Sequence, residues 1–436
     1  MSRPARRFPL TLSIALALGT TTAAHAELNS DLQGNTRIGT EALLNVAGGV
    51  ANSAFGANTL DALTIGNQNV AFGAAALGDL VSGSANSAFG VSALRRATGG
   101  ELSAFGFAAL QSNTSGTRNN AFGYLALNAN EIGARNNAFG SEALRLNTAD
   151  DNTAFGDAAL EVNVSGTRNS AFGADALAAN TGDNNSAFGY QALHGNTTGA
   201  NNAAFGNSAL ASNTTGQRNV AVGAGALSAN TTGSDNTALG NNAGSAVTTG
   251  TGNVHIANRG AATDTRVIRI GRQGTQRSTF IAGIRGTTVT GGAAVVVNKF
   301  GQLGVQTSSQ RFKTAVQPMA DDSSALLALE PVTFRYKEAD ENGEHPLQFG
   351  LIAEDVAKVM PELVVYDEQG KPETVAYQEM SSLLLNELKK ERALRQQETA
   401  KLTGEVAALL RAVDELRAET ARLAAGQAGN GSVAAR

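Results

Sequence analysis

From about Asn35 to Ala257 the chain repeats one short pattern of apolar and polar residues. The repeated phrase is Asn-x-Ala-Phe-Gly-x-x-Ala-Leu, often followed by Asn-Thr-Thr-Gly. A period this strict is typical of stacked units that cannot bury their apolar faces alone. The pattern predicts a β-solenoid of about 17 residues per coil over residues 27–262. The central apolar residue recurs every 16 or 17 residues, at Ile38, Phe55, Phe72, Phe89, Phe105, Phe122, Phe139, Phe155, Phe172, Phe188, Phe205, Val222, Leu239 and Ile256.

Each coil is too short for a pair of helices and suits two short strands joined by turns. We expect Phe55 and its equivalents to carry the apolar bulk of the first strand, and the Leu of each Ala-Leu pair to form a second core stripe. Gly56 and its equivalents would let the backbone turn or pass close to a neighbouring coil. No proline occurs between Pro9 and Pro318, which favours continuous backbone pairing. The Asn-Thr-Thr-Gly loops are predicted to be outer turns.

An asparagine stands three residues before the central apolar residue in most coils. Stacked coils would align these side chains into a ladder of amide hydrogen bonds, which Leu102 interrupts once. A row of sugar-binding amides is the alternative interpretation. The Asn-Ser-x-x-Gly texture of the repeat loosely resembles the β-roll heads of trimeric autotransporter adhesins. The asparagines are Asn52, Asn69, Asn86, Asn119, Asn136, Asn152, Asn169, Asn185, Asn202, Asn219 and Asn236.

The pattern changes after residue 262. Three strand-like runs at 267–271, 279–284 and 294–297, separated by glycines, predict a β connector over residues 263–306. Farther on, apolar residues follow heptads from Leu385, with Arg392 and Arg395 as interruptions. These heptads predict a coiled coil over residues 381–425, and the glycine-rich residues 426–436 are predicted to be a flexible tail.

Composition and charge exclude several kinds of site and activity. The absence of cysteine excludes a disulfide scaffold and a thiolate zinc site, and the four scattered histidines argue against a histidine-based metal centre. No cofactor is expected. A net charge of −4 gives no electrostatic reason to bind nucleic acid. The few carboxylates of the repeat occur at different positions from coil to coil. A glycosidase needs two carboxylates that face each other at a fixed distance, so the pattern disfavours a polysaccharide depolymerase.

The first 26 residues have the order of a secretory signal. Three arginines precede an apolar run from Leu10 to Leu18, and Ala24-His25-Ala26 follows. The apolar run is too short to span a bilayer, and no later stretch reaches 18 apolar residues. We therefore expect cleavage after Ala26, export to the medium or cell surface of a bacterium, and no integral membrane anchor.

The region from 307 to 380 carries the candidate chemistry. It opens with Thr307-Ser308-Ser309-Gln310-Arg311-Phe312-Lys313, and further blocks follow at 349–356, 360–364 and 375–377. These ordered blocks resemble the self-cleaving intramolecular chaperone domain of endosialidase tailspikes and related phage appendages, which is a serine peptidase family. Its opening motif is Ser-Asp-x-Arg-x-Lys. Ser308, Arg311 and Lys313 match that motif, and Ser309 replaces the aspartate.

The resemblance implies a small α+β domain that is trimeric and cuts the chain between Thr307 and Ser308. Ser308 would be the nucleophile, Lys313 the base and Arg311 a supporting cation. A serine hydroxyl is a poor nucleophile until a base takes its proton, and lysine serves as that base only where burial or a nearby cation lowers its pKa. In that family the trimer completes the burial, so cleavage would follow correct assembly.

The alternative is that Ser308 caps a helix while Lys313 lies on a solvated face. Serine and lysine five positions apart do not share one face of a regular helix, so a catalytic pair requires Ser308 to lie in the preceding turn. Glu354 and Asp355 are predicted to belong to the first turn of a helix over about 353–359, and His345 to a loop. We assign none of these three a catalytic role.

Together these patterns predict an exported homotrimeric fibre with an adhesin-like or display role, whose partners are its own copies and a cell-surface glycan or protein. A structural or binding fibre that trimerises without cleaving is one alternative. A phage-derived tail-fibre component is another, although the N-terminal signal argues against it.

Overall fold

The computed structural model describes residues 29–282, 284, 289–298, 300–340, 342–367 and 369–430. The predicted secretory signal and the last six residues lie outside this range. The chain divides into two compact units, and the boundary along the chain lies between Phe280 and Ile281.

The first unit is a β-solenoid with a single sheet of sixteen strands in chain order. The strand β1 (Asn29–Ser30) pairs antiparallel with β2, and all later neighbours are parallel and in register from coil to coil. This confirms the predicted solenoid and its repeat. Strands β2 to β16 cover Thr36–Ile38, Ser53–Phe55, Val70–Phe72, Ser87–Phe89, Ser103–Phe105, Asn120–Phe122, Asn137–Phe139, Thr153–Phe155, Ser170–Phe172, Ser186–Phe188, Ala203–Phe205, Val220–Val222, Thr237–Leu239, Val254–Ile256 and Ile268–Ile270.

Each coil contains one strand, so the prediction of two was wrong. The Ala-Leu segment forms successive turns, in which Glu142 and Leu144 have φ angles of 56° and 53°. Left-handed backbone is costly for residues other than glycine, and no extended strand contains it. Alternating left-handed positions therefore curl this part of the coil into turns instead of a second strand.

The phenylalanines lie outside the coil, which corrects their predicted place in the core. Successive side chains of a strand point to opposite faces. The middle residue, such as Ala138, points inward and is fully buried, so Phe139 on its carboxyl side points outward. The narrow interior is filled by alanines and leucines, including Leu144, which confirms the predicted leucine stripe.

The predicted asparagine ladder is confirmed as a structural one. The side chain of Asn69 is fully buried, and its Nδ2 donates to Asn52 Oδ1 at 3.0 Å and to the Gly83 carbonyl at 2.9 Å. The Asn52 oxygen also accepts the backbone N–H of Asn69 at 3.0 Å. These amides are thus satisfied inside the solenoid, which leaves them no atoms for a sugar.

A second ladder comes from the Asn-Thr-Thr-Gly loops, whose asparagines are buried rather than in outer turns. Asn213 Nδ2, for example, donates to Asn196 Oδ1 at 2.7 Å and to the Gly216 carbonyl at 3.0 Å. The threonines of these loops do face outward. The buried loop asparagines are Asn113, Asn130, Asn147, Asn163, Asn180, Asn196, Asn213 and Asn230.

The glycine after each phenylalanine is required by both backbone and space, as predicted. Gly156 has a φ of +141°, and a Cβ there would lie 2.5 Å from the Gly173 carbonyl oxygen in the next coil. A side chain at this position would force the coils apart.

The solenoid sheet continues past residue 262, because the strand predicted to open the connector is β16 of the same sheet. The run at 279–282 forms no strand, so that part of the connector prediction was wrong. The third predicted run contains β17 (Val295–Val297), which pairs antiparallel with β18 (Leu303–Val305) in the second unit.

The second unit also contains two small antiparallel pairs, β19 (Val332–Phe334) with β20 (Gln348–Gly350) and β21 (Val364–Tyr366) with β22 (Pro372–Val375). Its helix α1 spans Ala353–Val359, as predicted, and α2 spans Tyr377–Asn430. Helix α2 therefore starts before and ends after the predicted coiled coil and extends into the predicted flexible tail. The small core consists of Leu326, Val356, Met360, Leu363, Val364 and Val375.

Candidate functional site

A short 3₁₀ turn positions the predicted catalytic residues. The turn spans Gln310–Phe312, and its closing bonds run from the N–H of Phe312 to the Ser309 carbonyl and from the N–H of Lys313 to the Gln310 carbonyl, both at 3.0 Å. Ser309, with φ −66° and ψ 139°, is extended. The tight turn carries residue 313 back toward the segment that precedes it.

The turn brings Lys313 Nζ to 3.3 Å from Ser308 Oγ. Ser308 lies ahead of the turn, as a Ser–Lys pair requires, while the residue at the N-terminal boundary of the turn is Ser309. The helix-cap interpretation of Ser308 therefore loses its structural basis. The distance suits proton transfer from the hydroxyl to a neutral amine after slight tightening. The catalytic roles themselves stay predictions.

The guanidinium of Arg311 lies over the ring of Phe312, with Cζ 4.7 Å from the ring centroid. Such a cation–π contact fixes the orientation of the arginine at an exposed site. The supporting role predicted for Arg311 stays a prediction.

The whole segment from 301 to 318 is exposed in the single chain. Phe312 and Val316, on either side of Lys313, are 58% and 64% exposed. A lysine that acts as a base is normally desolvated. The pair therefore has the right geometry in one chain, but its environment is open to water.

A polar cluster that the sequence analysis missed ties α2 to the short helix Ser324–Ala328. Buried Ser323 donates to Glu387 Oε1 at 2.5 Å and accepts from Asn386 Nδ2 at 2.7 Å. The hydrogen bond from Ser323, followed by that from Lys390, lowers the pKa of the Glu387 carboxyl. More than sixty residues separate the two sides of this cluster, and neither side carries a recognisable motif.

A second missed cluster closes the solenoid. His255 occupies the position held by alanine in the preceding coils, is fully buried, and has Nε2 3.0 Å from Asp264 Oδ2. Arg269 donates to both oxygens of Asp264, at 2.6 and 2.7 Å. The hydrogen bonds from Arg269 hold the pKa of Asp264 well below its usual range against the effect of burial, and His255 and the Ala261 N–H contribute as well. The break of the alanine column at His255 was the available signal.

The residues judged non-catalytic lie where they were predicted. Glu354 and Asp355 are in the first turn of α1, where Asp355 pairs with Lys358 at 2.7 Å. His345 lies in a loop, with Nδ1 2.8 Å from the Tyr336 carbonyl oxygen. Within the described ranges, no three His, Asp or Glu side chains are grouped so that they could hold a metal ion. No helix in that part of the chain combines the length and apolar character needed to cross a bilayer.

Residues 308–365 match the family model described as chaperone of endosialidase. This confirms the family resemblance of this segment. The match begins at Ser308, the residue before which cleavage is predicted. No curated protein and no solved structure matches the chain.

Proposed function

We propose that the chain is an exported homotrimeric fibre whose C-terminal unit drives assembly and then cuts the chain between Thr307 and Ser308. The family match and the solenoid together indicate a tail-fibre-like protein with a trimerisation chaperone domain. The observation that carries the cleavage proposal is the 3.3 Å distance between Lys313 Nζ and Ser308 Oγ, at the first residues of the matched segment.

The geometry supports an acyl transfer within the chain. Lys313, when neutral, takes the hydroxyl proton while Ser308 Oγ attacks the carbonyl carbon of Thr307. The new C–O bond replaces the C–N bond of the peptide, and the proton passes to the released amine of Ser308. Water then hydrolyses the ester, which leaves a carboxylate on Thr307 and restores the Ser308 hydroxyl.

Exposure of the pair makes this reaction dependent on assembly. In one chain nothing excludes water from residues 301–318, and lysine bases require desolvation. The chain also carries an unpartnered heptad seam on α2, where Leu402, Leu409 and Leu416 are 60–66% exposed. Association along this seam would bring three copies of the turn together, and the neighbouring copies would supply the missing cover.

Export and surface display complete the proposal. The arginines, apolar run and Ala24-His25-Ala26 of the N-terminus support secretion. An adhesin-like task follows only from the analogy between a long repetitive shaft and known fibres, and it needs a binding partner to be found.

Intact-mass spectrometry of residues 27–436 tests the cleavage. We expect the wild type to yield two fragments that separate between Thr307 and Ser308, and Ser308→Ala and Lys313→Ala to stay whole. Ser309→Ala and Lys337→Ala are matched controls that should still be cut. A wild-type trimer that remains full length would contradict the peptidase function. The C-terminal unit would then be a trimerisation domain that stays attached to the solenoid.

A phage-type tail fibre that assembles in the cytoplasm is the second candidate, favoured by the family match. Expression of all 436 residues in a bacterium separates the two. Export predicts a mature N-terminus at Glu27 in the periplasm or medium, whereas a cytoplasmic chain that keeps its first 26 residues would support the tail fibre.

A further inference from the structure

The outward surface of the solenoid sheet carries no charge along its length. In strands β3 to β15 the middle residue is buried inside the coil, so the first and last residues point outward, and the in-register pairing of β2 and β16 places their first and last residues on the same face. All of these outward residues are described, and they are Ser, Thr, Asn, Ala, Val, Ile, Leu or Phe without an acid or a base. We call this surface, formed by the first and last residues of β2 to β16, the uncharged face.

Ten phenylalanine rings form a continuous stack on this face, from Phe55 to Phe205. Successive ring centroids lie 4.3–5.0 Å apart, and the ring planes agree within 8°. The eight inner rings are stacked on both faces by the rings of the neighbouring coils, so it is their edges that are turned toward solvent. Sugars stack on open aromatic faces, where the quadrupole is negative. The stack is therefore unsuited to a glycan and suited to an apolar surface that packs against ring edges.

Charged side chains stand in the turns that lead into several of the strands. There Arg118 pairs with Glu101 at 2.8 Å, and Arg218 pairs with Asp235 at 2.7 Å, each across neighbouring coils. An uncharged strip with an apolar phenylalanine row, and with solvated, paired charges along one border, resembles the core and polar rim of a protein interface.

We propose that other copies of this chain cover the uncharged face, so that the shafts of the oligomer pack sheet against sheet. This rests on the homo-oligomer of the proposed function. A second copy offers the same strand spacing and the same outward side chains over the same number of coils, so its ridges can match the grooves of this face over the whole length. Identical faces meet here without like-charge repulsion, because neither carries a charge.

The size of the face approaches that of a stable interface. Fifteen strands about 4.8 Å apart, each of three residues at about 3.3 Å, give a strip of roughly 670 Å². A stable interface covers about 800 Å² per partner, so the strip alone supplies most of one. Copies held together elsewhere in the chain would meet at an effective concentration in the millimolar range, which lowers the area required.

Single cysteines test the proposal in the full-length chain, which has none of its own. Ser103→Cys places a thiol on the uncharged face, and Ser115→Cys places one in an exposed loop of the same coil. A cyclic oligomer brings equivalent residues of an inward face together around one axis. With a short bis-maleimide, we expect covalent oligomers from Ser103→Cys in at least about tenfold excess over those from Ser115→Cys.

Sedimentation of the same samples separates the possible failures. A homo-oligomer in which both cysteines cross-link equally poorly overturns the packing of the shafts and leaves the proposed function intact. A monomer overturns both. As a second test, Ser103→Asp with Ser170→Asp and Ser186→Asp puts charges on the face, while Ser115→Asp with Ser165→Asp and Ser212→Asp puts them in loops. Only the first set should increase labelling of the phenylalanine stack by a surface-footprinting radical, and equal labelling contradicts the proposal.

Discussion

The two units of the chain bury their apolar side chains to very different extents. In the solenoid, Leu144 and its equivalents are fully buried within one chain, and the buried amides find partners in the coils before and after them. Along α2, by contrast, Leu409, Leu416 and Leu423 are 64–66% exposed. The solenoid supplies its own neighbours by repetition, whereas the seam of the helix would be covered only by the association that we propose. One part of the chain thus completes its leucine core alone, and the other leaves a long apolar seam open.

The same substitution should have opposite effects in the two units. Gly156→Ala puts a Cβ 2.5 Å from the Gly173 carbonyl at a φ of +141°, so we expect a loss of more than about 3 kcal/mol in the unfolding free energy of the solenoid. Gly404→Ala meets nothing within 4 Å on α2 and should stabilise that helix by up to about 1 kcal/mol. Urea unfolding followed by circular dichroism measures both. Equal small effects would show that the close contact between coils is relaxed in solution.

Loss of one ladder amide should destabilise the solenoid locally. In Asn169→Ala, the N–H of Asn185 loses its acceptor and the Gly182 carbonyl loses one of its two donors, at a cost of about 2–4 kcal/mol. The exposed Asn207→Ala is the matched control and should cost little. Hydrogen exchange of the Asn185 amide reports the effect, and unchanged protection would mean that water replaces the amide without loss.

Acid should loosen the end of the solenoid before its middle. The pKa of Asp264 is lowered in the folded chain, so its stabilising effect is present above its unfolded value of about 3.9 and is lost as the pH falls toward the folded value. Asp264→Asn should cost about 1.5–3 kcal/mol at neutral pH and remove this acid dependence. Hydrogen exchange around Val267 between pH 5 and pH 2 measures this acid dependence in the wild type and in Asp264→Asn. The Asp157→Asn variant is the control and should behave like the wild type. Identical acid profiles for wild type and Asp264→Asn would contradict the assignment.

The smallest effect should come from the α2 seam. Arg395 interrupts the leucine heptads, where it pairs with Glu391 at an exposed site. Arg395→Leu would extend the apolar seam and should raise the stability of the assembled helices by about 1–2 kcal/mol, seen as a higher melting temperature that depends on concentration. Arg411→Leu, which lies off the seam, should not have this effect. A gain that is independent of concentration would show that α2 does not associate.

Much of this structure is encoded locally and some of it is not. The strict period around Phe139 predicts the solenoid, and the heptads from Leu385 predict α2, because both patterns repeat the physical requirement many times. The outward position of Phe139 was missed because an apolar residue in a strand is predicted to lie in the core unless the size of the coil interior is known. Leu144 at a positive φ was equally hidden, since its turn is imposed by stacking rather than by local propensity.

For the candidate site, the proximity of Ser308 and Lys313 could be anticipated from the motif, since it depends on six adjacent residues, and their catalytic roles stay predictions. The links from Ser323 to Asn386 and Glu387 join distant segments, and only the folded chain reveals them. His255 could have been noticed as the exception in an alanine column, but its partner Asp264 lies beyond the last regular repeat.

The asparagine ladders also make the shaft electrically polar. Backbone bonds between coils alternate in direction: Gly56 donates back to Ile38, and Ser53 donates forward to Asn69. The bonds between ladder side chains do not alternate: where two of these side chains bond, the later asparagine donates to the earlier one, as Asn69 does to Asn52 and Asn213 does to Asn196. Their dipoles therefore add from coil to coil, much as peptide dipoles add in a helix. The donor end of this row meets the carboxylate of Asp31, which accepts from Asn35 Nδ2 at 2.9 Å, so a negative charge lies where the summed dipole is positive.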